Sequence, residues 1–373
     1  MEYTYLKDVC NITMGQSPES SSYNEDGDGV PFFQGNADFG EIYPCVRVWS
    51  NEPKKMASAN DILISVRAPI GALNYAKEDC CIGRGLAAIT PSSRVNLKYI
   101  YYLLKAKKSE LNSKGTGSTF KAIGKSVLEE TIVPVLSIAE QNDIVSKIEC
   151  VEDIIRKRRM QIDELDNLIK SRFVELFGDP EVNSMNLPVK PMTEVCEIID
   201  GDRGKNYPTQ EEFSGEGYCL FLNAKNVTSN GFSFENCMFV TKEKDEILRK
   251  GHLNRGDVVL TTRGTIGNLA FYDEAIPYEN VRINSGMVIL RMNHEIVSEH
   301  FFIEQFKMQL GSIKEKIASG SAQPQLPIST MNKIVVLMPS VEQQMVFADF
   351  VQQVDKLKFL YKRTIIKLNK QKG

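Results

Sequence analysis

The sequence has few of the residues on which active sites and metal centres are commonly built. It contains three histidines, His252, His294 and His300, all in the second half of a 373-residue chain. Its eight cysteines include no Cys-x-x-Cys pair, which argues against a zinc cage or a redox dithiol and favours reduced, mostly buried thiols. No apolar run approaches the roughly 20 residues that span a bilayer. The start, MEYTYLKDV, lacks the basic and apolar regions of a signal peptide, so we expect a cytoplasmic protein.

Positive charge is slightly outweighed by negative charge overall, but it is unevenly distributed. The net charge is −3, which is not typical of a nucleic-acid-binding protein. Between Lys98 and Ser126, however, there are seven lysines and one glutamate. Such a run most often forms the solvated face of a helix, and in a DNA-binding protein it contacts phosphate. Charge alone therefore leaves both interpretations open.

The chain is a duplication, as its length also favours. The segment NDILISVRAPIG (60–71) returns as GDVVLTTRGTIG (256–267) at an offset of 196, which pairs Arg67 with Arg263 and Gly71 with Gly267. LKDVCNI (6–12) returns as MTEVCEI (192–198) at an offset of 186, and AEQNDIV (139–145) returns as VEQQMVF (341–347) at 202. A slowly drifting offset is typical of a duplicated domain with loop insertions.

Each copy predicts the same order of strands and helices. DILISV and DVVLTT are β-branched runs that predict strands leading into turns at 69–71 and 265–267, where the glycine adopts a positive φ. Helices are expected near 97–111 and 298–317. Gly/Ser loops at 115–126 and 319–329 and the short strands TIVPV and KIVVLMP follow them. The sequence thus predicts an α+β protein with two pseudo-symmetric, strand-rich domains.

A long helix is predicted at the end of each copy. Its apolar positions, spaced by three, four or seven, are Ile148, Val151, Ile155, Ile162, Leu165 and Ile169, and then Val351, Val354, Tyr361, Ile365 and Leu368. This spacing is typical of a coiled-coil seam, so the two helices should pack on each other. The predicted regions are a first domain at 1–139, a helix at 140–178, a second domain at 179–339 and a helix at 340–373.

An antiparallel helix pair would place the two domains at opposite ends of a rod. A helix of roughly 35 residues spans on the order of 50 Å, or about 15 base pairs of DNA. The helices can therefore act as a ruler.

No catalytic constellation is repeated in the two copies. TFKAIGKS resembles a phosphate loop, but the first glycine of that motif is replaced by Thr119. Neither copy has a dinucleotide-binding glycine motif, an Asn-Pro-Pro-aromatic or Asp-Pro-Pro-aromatic methyltransferase tetrapeptide, or a spaced set of nuclease carboxylates. The histidines suit surface or capping roles better than catalysis. Two similar domains with a rigid spacer and no chemistry favour bipartite DNA recognition, which reads half-sites at a defined spacing.

Three signatures occur in the order found in one known family. They are Pro134 with Ile138 to Gln141, Glu175 to Pro180, and Val341 to Gln343. Over nearly its whole length the chain resembles the specificity subunits of type I restriction-modification systems. The resemblance implies a non-catalytic subunit with two target-recognition domains, each reading half of an interrupted sequence, joined by a pair of long antiparallel helices that dock modification subunits.

The resemblance also implies the partners. They are double-stranded DNA, two modification (methyltransferase) subunits and two restriction subunits. S-adenosylmethionine, Mg²⁺ and ATP are expected on those subunits, and no cofactor or metal is expected in this chain.

Base readout is expected from Arg, Lys, Asn and Gln side chains on loops, while other basic residues grip phosphate. The candidates in the first copy are Arg47, Lys54, Lys55, Arg67, Arg84, Lys114 and Lys121. In the second copy they are Arg203, Lys205, Asn223, Lys225, Arg263, Arg282, Gln323 and Gln325. Arg67 and Arg263 are the best supported because both precede the same glycine-containing turn. Their alternative role is pairing with a framework carboxylate.

Two other functions remain open at this point. One is a specificity subunit of a different, type IIB-like or IIG-like modification system, which would share the architecture. The other is a protein-binding scaffold without DNA recognition. Steeply salt-dependent DNA affinity would separate DNA recognition from scaffolding, because phosphate contacts release counterions.

Overall fold

The computed structural model describes residues 2–117, 121–318 and 325–372. The chain forms two compact units. Unit 1 comprises Met1–Lys157 and Ile365–Gly373, and unit 2 comprises Arg158–Thr364. Each long helix therefore contributes residues to both units.

The first copy of the duplication consists of short strands and helices followed by one long helix. In chain order they are β1 (Tyr3–Tyr5), α1 (Leu6–Val9), β2 (Cys10–Met14), β3 (Tyr23–Asn24), β4 (Val30–Phe33), β5 (Trp49–Ser50), β6 (Met56–Ala57), β7 (Ile62–Ser65), β8 (Leu73–Tyr75), β9 (Cys80–Ile82), β10 (Leu86–Pro91), α2 (Leu97–Ala106), α3 (Lys108–Ser113), α4 (Lys125–Glu129), β11 (Ile132–Pro134) and α5 (Ile138–Phe177).

The second copy repeats this order with small additions and omissions. Its elements are β12 (Val189–Pro191), α6 (Met192–Val195), β13 (Cys196–Asp200), β14 (Cys219–Leu222), β15 (Val227–Thr228), β16 (Gly231–Phe232), β17 (Phe239–Val240), α7 (Lys242–Ile247), β18 (Val258–Thr261), β19 (Leu269–Phe271), β20 (Val281–Ile283), β21 (Met287–Met292), α8 (Glu299–Ala318), α9 (Ile328–Met331), β22 (Val335–Leu337) and α10 (Val341–Lys372).

The sheets confirm the duplication. An antiparallel sheet in the order β2-β10-β7-β8 has its counterpart in β13-β21-β18-β19. The parallel pair β4-β9 corresponds to β14-β20, and the antiparallel pair β1-β11 corresponds to β12-β22. The two strongest strand predictions, DILISV and DVVLTT, are the inner strands β7 and β18.

Strand β7 is buried on both faces. Because successive side chains of a strand point to opposite faces, Ile62 and Ile64 pack with Ile100 of α2, whereas Leu63 packs with Phe33 on the other side. In unit 2, Val258 and Leu260 of β18 pack with α8, and Val259 faces the sheet that contains β14 and β20. Each inner strand therefore lies between a helical layer and a second sheet.

In unit 2, helices α5 and α10 run antiparallel. Asp166 of α5 pairs with Lys358 of α10 at 2.6 Å between Oδ1 and Nζ, and the Arg158 guanidinium lies 4.5 Å from the centre of the Tyr361 ring. Of the predicted seam, Ile155, Ile169, Val351 and Val354 are buried, and Ile148, Val151, Ile162, Leu165, Tyr361, Ile365 and Leu368 are partly buried. The seam pattern thus predicted positions that are at least partly removed from solvent.

Two phenylalanines of α5 that the seam pattern missed, Phe173 and Phe177, pack against aromatic rings of other helices. The Phe173 ring centre lies 5.4 Å from the ring centres of both Phe301 in α8 and Phe347 in α10, and Phe177 lies 5.0 Å from Phe301. Phe173 is fully buried. The helix pair is therefore anchored to the globular part of unit 2 by aromatic packing.

The starts of α5 and α10 correct the alignment of the two copies. Ser137 and Ser340 cap the two helices, each accepting from the backbone N–H three residues later at 3.3 Å. Gln141 and Gln344 are both buried and bind backbone groups of their own unit. These equivalences give an offset of 203, so the pairing of 139–145 with 341–347 at 202 was wrong by one residue.

We predict that Phe173→Ala lowers the free energy of unfolding by about 3–5 kcal/mol, because a buried aromatic ring is replaced by a cavity. Urea denaturation followed by circular dichroism measures the loss. Val174→Ala is the matched control, since Val174 is exposed on the same turn and its truncation should change stability by less than about 0.5 kcal/mol. Equal losses for the two variants would contradict the packing described.

The cysteines are free thiols, and burial raises the pKa of Cys10, Cys80 and Cys196 to about 12. We predict that at pH 8 an alkylating reagent modifies the exposed Cys45 and Cys150 rapidly and these three only after unfolding, because the thiolate is the reactive form. Peptide mass spectrometry measures the rates, with the urea-unfolded chain as the control. Labelling of Cys10 as fast as Cys45 in the folded chain would show the burial to be wrong.

Candidate functional site

The duplicated arginines occupy the same position in both units. Arg67 follows β7 and forms an isolated antiparallel bridge with Ala122, and Arg263 follows β18 and forms the same bridge with Gln325. Both are exposed, and neither guanidinium has an ion pair among the described residues. The aspartates that precede the two strands, Asp61 and Asp257, are bound elsewhere, Asp257 to Arg291 at 2.8 Å. Neither arginine thus pairs with a framework carboxylate in the described residues.

A glycine turn fixes the backbone after each arginine. Gly71 has φ +82° and Gly267 has φ +91°, as the sequence predicted. A Cβ on Gly267 would also lie 2.1 Å from the Leu310 side chain, so a larger residue there would require Leu310 to move in addition to adopting an unfavourable positive φ. The arginine, the bridge and the glycine turn thus form one local structure that occurs twice.

In unit 1 this structure opens on a polar cleft of about 780 Å³. The side chains that line it include Gln34, Asn36, Arg47, Arg67 and Arg84. They come from the loops after β4, β7 and β9, which the strand pairing brings together. Three of the five, the arginines, were predicted from the sequence, and the two amides were not.

One carboxylate organises the loop after β4. Asp38 Oδ2 accepts hydrogen bonds from the backbone N–H of Gln34 at 2.7 Å and of Gly35 at 3.2 Å. Its other oxygen pairs with Arg47, which also donates to the carbonyl of Ala37 at 3.0 Å. Arg47 therefore holds the loop in place, and its charge is largely balanced. The side chains of Gln34 and Asn36 have no hydrogen-bond partner within residues 2–117, 121–318 and 325–372.

The other basic candidates of unit 1 divide into paired and unpaired groups. Lys54 pairs with Glu19 at 2.7 Å, and Lys114 pairs with Glu110 at 2.7 Å. Hydrogen bonds from Lys107 and Lys114 hold the pKa of Glu110 below its usual value, so this carboxylate stays ionised. In the described part of the chain, Lys55, Lys121 and Arg84 have no ion pair, and all three are exposed.

Unit 2 presents its candidates on equivalent loops. Asn223 and Lys225 follow β14, and Arg203 and Lys205 follow β13. Arg203 pairs with Asp200 at 3.1 Å and donates to the carbonyl of Ser285 at 3.2 Å, yet its side chain stays 47% exposed. Lys205, Lys225 and Gln325 are exposed, and Asn223 is partly buried. Gln323 lies outside the described residues.

Asp202 organises the loop after β13 much as Asp38 organises the loop after β4. Its carboxylate is buried and accepts from the backbone N–H of Gly204 at 2.7 Å and of Arg249 at 2.8 Å. These hydrogen bonds hold the pKa of Asp202 below its usual value. The segment that carries Arg203 and Lys205 is therefore fixed at neutral pH.

The structure contradicts one predicted contact residue. Arg282 lies in β20, is buried and pairs with Asp245, and it donates to the carbonyls of Lys250 and Asp245 at 2.8 Å each. A guanidinium with all of these partners and almost no exposed surface cannot reach an external ligand. Arg282 is a structural residue.

The described residues include no group of His, Cys, Asp and Glu side chains placed to hold a metal ion. Within the same residues, no helix combines the length and the apolar character that crossing a bilayer requires. The cleft of unit 1 and the basic and amide side chains on the loops of both units are therefore the site on which a function is best argued.

Comparison with known proteins gives one consistent result. The family model described as the type I restriction modification DNA specificity domain matches residues 1–165 and again residues 186–370. A Methanocaldococcus jannaschii protein named as the type I restriction enzyme MjaX specificity subunit is 42% identical over 160 residues, which cover 43% of this chain and 38% of that protein. The MjaIX specificity subunit of the same organism is 24% identical over 361 residues, covering 90% of this chain and 82% of that protein.

One solved structure shares the fold along the whole chain. It is the crystal structure of a type I restriction-modification system S subunit from M. genitalium, with a TM-score of 0.53 and 19% identity. The match covers 100% of this chain and 93% of that chain.

We predict that Asp38→Ala loosens the loop after β4, because two backbone hydrogen bonds to an ionised acceptor, each worth about 1.5–3 kcal/mol, are lost together with the hold on Arg47. Amide hydrogen exchange of a peptide covering residues 33–40 should become faster. Glu41→Ala is the control, since Glu41 is exposed and has no ion pair in the described part of the chain. Unchanged exchange in Asp38→Ala would exclude the proposed role of this carboxylate.

Proposed function

We propose, because this chain belongs to the family of type I restriction-modification specificity subunits and carries the specificity domain twice, that each unit reads one half of an interrupted duplex DNA target. The observation that carries the proposal is the exposed arginine after the inner strand of each unit, without an ion pair in the described residues. In unit 1 it lines a cleft with further arginines and amides, which are the side chains that read base edges.

The exposed cations of unit 1 agree with this role despite the net charge of −3. Arg67, Arg84, Lys55 and Lys121 are exposed and have no carboxylate partner in the described residues, so they are available to phosphate. Many of the chain's other cations are neutralised locally, as in the pairs of Lys105 with Glu152 and of Lys147 with Asp143. Unit 1 therefore has positive charge free to bind a polyanion, and Arg67 and Arg84 place part of it in the cleft.

The long helices are proposed to act as spacer and docking site for two modification subunits. Helix α5 is continuous over 40 residues, a length of about 60 Å. Large apolar side chains remain exposed on both helices, namely Ile154, Met160, Leu168 and Val174 on α5, and Met345, Val346, Leu357, Phe359, Leu360 and Ile366 on α10. Such exposed apolar surface on a helix is typical of a protein interface.

Catalysis is proposed to reside in the partner subunits. Two modification subunits would supply S-adenosylmethionine-dependent methylation, and two restriction subunits would supply ATP-dependent and Mg²⁺-dependent cleavage. This chain would contribute the DNA contacts that choose the site, and its action on genomic DNA is the reason to place it in the cytoplasm. A type IIB-like or IIG-like modification partner would use the same DNA contacts.

We predict that the purified chain binds duplex DNA with an affinity that falls steeply with salt. In a plot of log affinity against log salt, Arg67→Ala with Arg263→Ala should lower the slope by about 2, because each lost phosphate contact removes about 0.9. Fluorescence anisotropy with duplexes of several sequences, titrated at several salt concentrations, measures the slope.

The charge-matched control is Arg159→Ala with Lys170→Ala. Both residues are exposed on α5 and have no ion pair among the described residues. This variant should keep the wild-type slope. Absent or salt-independent DNA binding by the wild-type chain would favour the protein-binding scaffold instead.

A further inference from the structure

The two units place different side chains at equivalent loop positions, which in unit 1 line the cleft. Strand β4 pairs in parallel with β9 through Phe33 and Ile82, and β14 pairs with β20 through Leu222 and Ile283. The next backbone contact is also shared, with the N–H after Ile82 donating to Phe33 at 2.8 Å and the N–H after Ile283 donating to Leu222 at 3.1 Å. Gln34 therefore corresponds to Asn223, and by the same count Asn36 corresponds to Lys225.

Close backbone packing aligns further positions of unit 1 with positions of unit 2. A Cβ on Gly15 would lie 2.1 Å from the carbonyl oxygen of Gly83, and a Cβ on Gly201 would lie 2.2 Å from that of Asn284. The two glycines are thus equivalent, as are Gly83 and Asn284. Counting forward, Ser17 corresponds to Arg203, and Arg84 corresponds to Ser285.

At these two positions arginine and serine have changed places. In unit 1, Ser17 Oγ lies 3.4 Å from the backbone nitrogen of Arg84, and in unit 2, Arg203 donates to the carbonyl of Ser285 at 3.2 Å. The same two loops meet in both units, and each unit has one arginine there. The arginine stands on the loop after β9 in unit 1 and on the loop after β13 in unit 2.

If the two units read different half-sites, residues that are identical in both units and residues that differ between them must have different roles. The phosphate backbone is alike in every sequence, so a side chain that is identical in both units suits phosphate binding. Discrimination between bases requires side chains that differ between the units. Arg67 and Arg263 belong to the first group, and the four pairs of positions at which the units differ belong to the second.

We propose that Gln34, Asn36 and Arg84 determine the half-site that unit 1 reads, and that Asn223, Lys225 and Arg203 determine the half-site that unit 2 reads. Arg67 and Arg263, in contrast, bind phosphate. The inference rests on the proposed DNA-reading function and assigns its specificity to particular side chains.

The chemistry of each set fits base edges in the major groove. A Gln34 amide without a protein partner in the described residues can bind adenine at N6 and N7 together, and Arg84 can bind guanine at O6 and N7. In unit 2 the Asn223 side-chain oxygen already accepts from the N–H of Lys225 at 2.9 Å, which leaves its NH₂ group as a donor. With Lys225 and Arg203, unit 2 presents mainly donors, which favours guanine. The exposed pair of Arg203 with Asp200 is weak enough to open when DNA binds.

The test is motif mapping with the full chain in complex with its modification subunit. Methylated bases are mapped genome-wide for the wild type, for Gln34→Ala and for Arg67→Ala. They are also mapped for a fourfold exchange that gives unit 1 the side chains of unit 2, namely Ser17→Arg, Gln34→Asn, Asn36→Lys and Arg84→Ser. Gln16→Ala is the matched control, because Gln16 is an exposed amide that does not line the cleft. The half-site of unit 2 serves as an internal control in every variant.

The expected result is a change confined to one half-site. Gln34→Ala should relax the preference at one base pair by about 5- to 150-fold, and the fourfold exchange should replace the half-site of unit 1. Arg67→Ala should lower methylation at all sites without changing the motif.

The inference is overturned if the fourfold exchange and Gln34→Ala both leave the motif unchanged, or if Arg67→Ala changes a single base. A wild-type map without a two-part motif would instead overturn the proposed function. The two failures are therefore distinguishable. Since Gln34 is exposed, the single variant tests the inference even where the fourfold variant does not fold.

Discussion

The burial of one strand in each unit determines where the cleft residues stand. Strand β7 has neighbours on both edges, β8 and β10, and apolar layers on both faces. Such a strand can offer solvent only its end, and Arg67 lies two residues beyond this end. The same holds for β18 and Arg263. A rigid strand that delivers a charged side chain to a loop is a common way to position binding residues.

A buried glutamine connects each long helix to its own globular part. The Gln141 side chain accepts from the N–H of Asn96 at 2.7 Å and donates to the carbonyl of Leu136 at 3.0 Å. Gln344 makes the matching contacts with Ser298 and Pro339. Because a buried amide that loses its partners costs about 1–3 kcal/mol, a helix start that slips by one residue is disfavoured. The direction in which each helix leaves its unit is thus set by hydrogen bonds and not by apolar packing alone.

Much of this fold could be predicted from the sequence because its signals are local. The strands, the glycine turns and the two long helices follow from short-range periodicity and from the conformational freedom of glycine. Phe173 escaped prediction because its partners Phe301 and Phe347 come from distant elements. Arg282 looked like a surface cation because its partner, Asp245, lies 37 residues earlier. The amides of the cleft of unit 1, Gln34 and Asn36, escaped prediction because only strand pairing brings their loop beside Arg67.

Duplication followed by divergence explains why framework residues are alike in the two units whereas the residues around the cleft differ. Asp61 and Asp257 accept the same backbone hydrogen bond, at 2.8 and 2.7 Å, because the turn before the inner strand is needed for folding in both units. The core clusters also stay within single units, so a change in one core leaves the other intact. Side chains at the cleft are free of these constraints, since exposed loop residues contribute little to folding. One unit can therefore acquire a new cleft without altering the stability of either core, which is the condition under which two half-sites diverge independently.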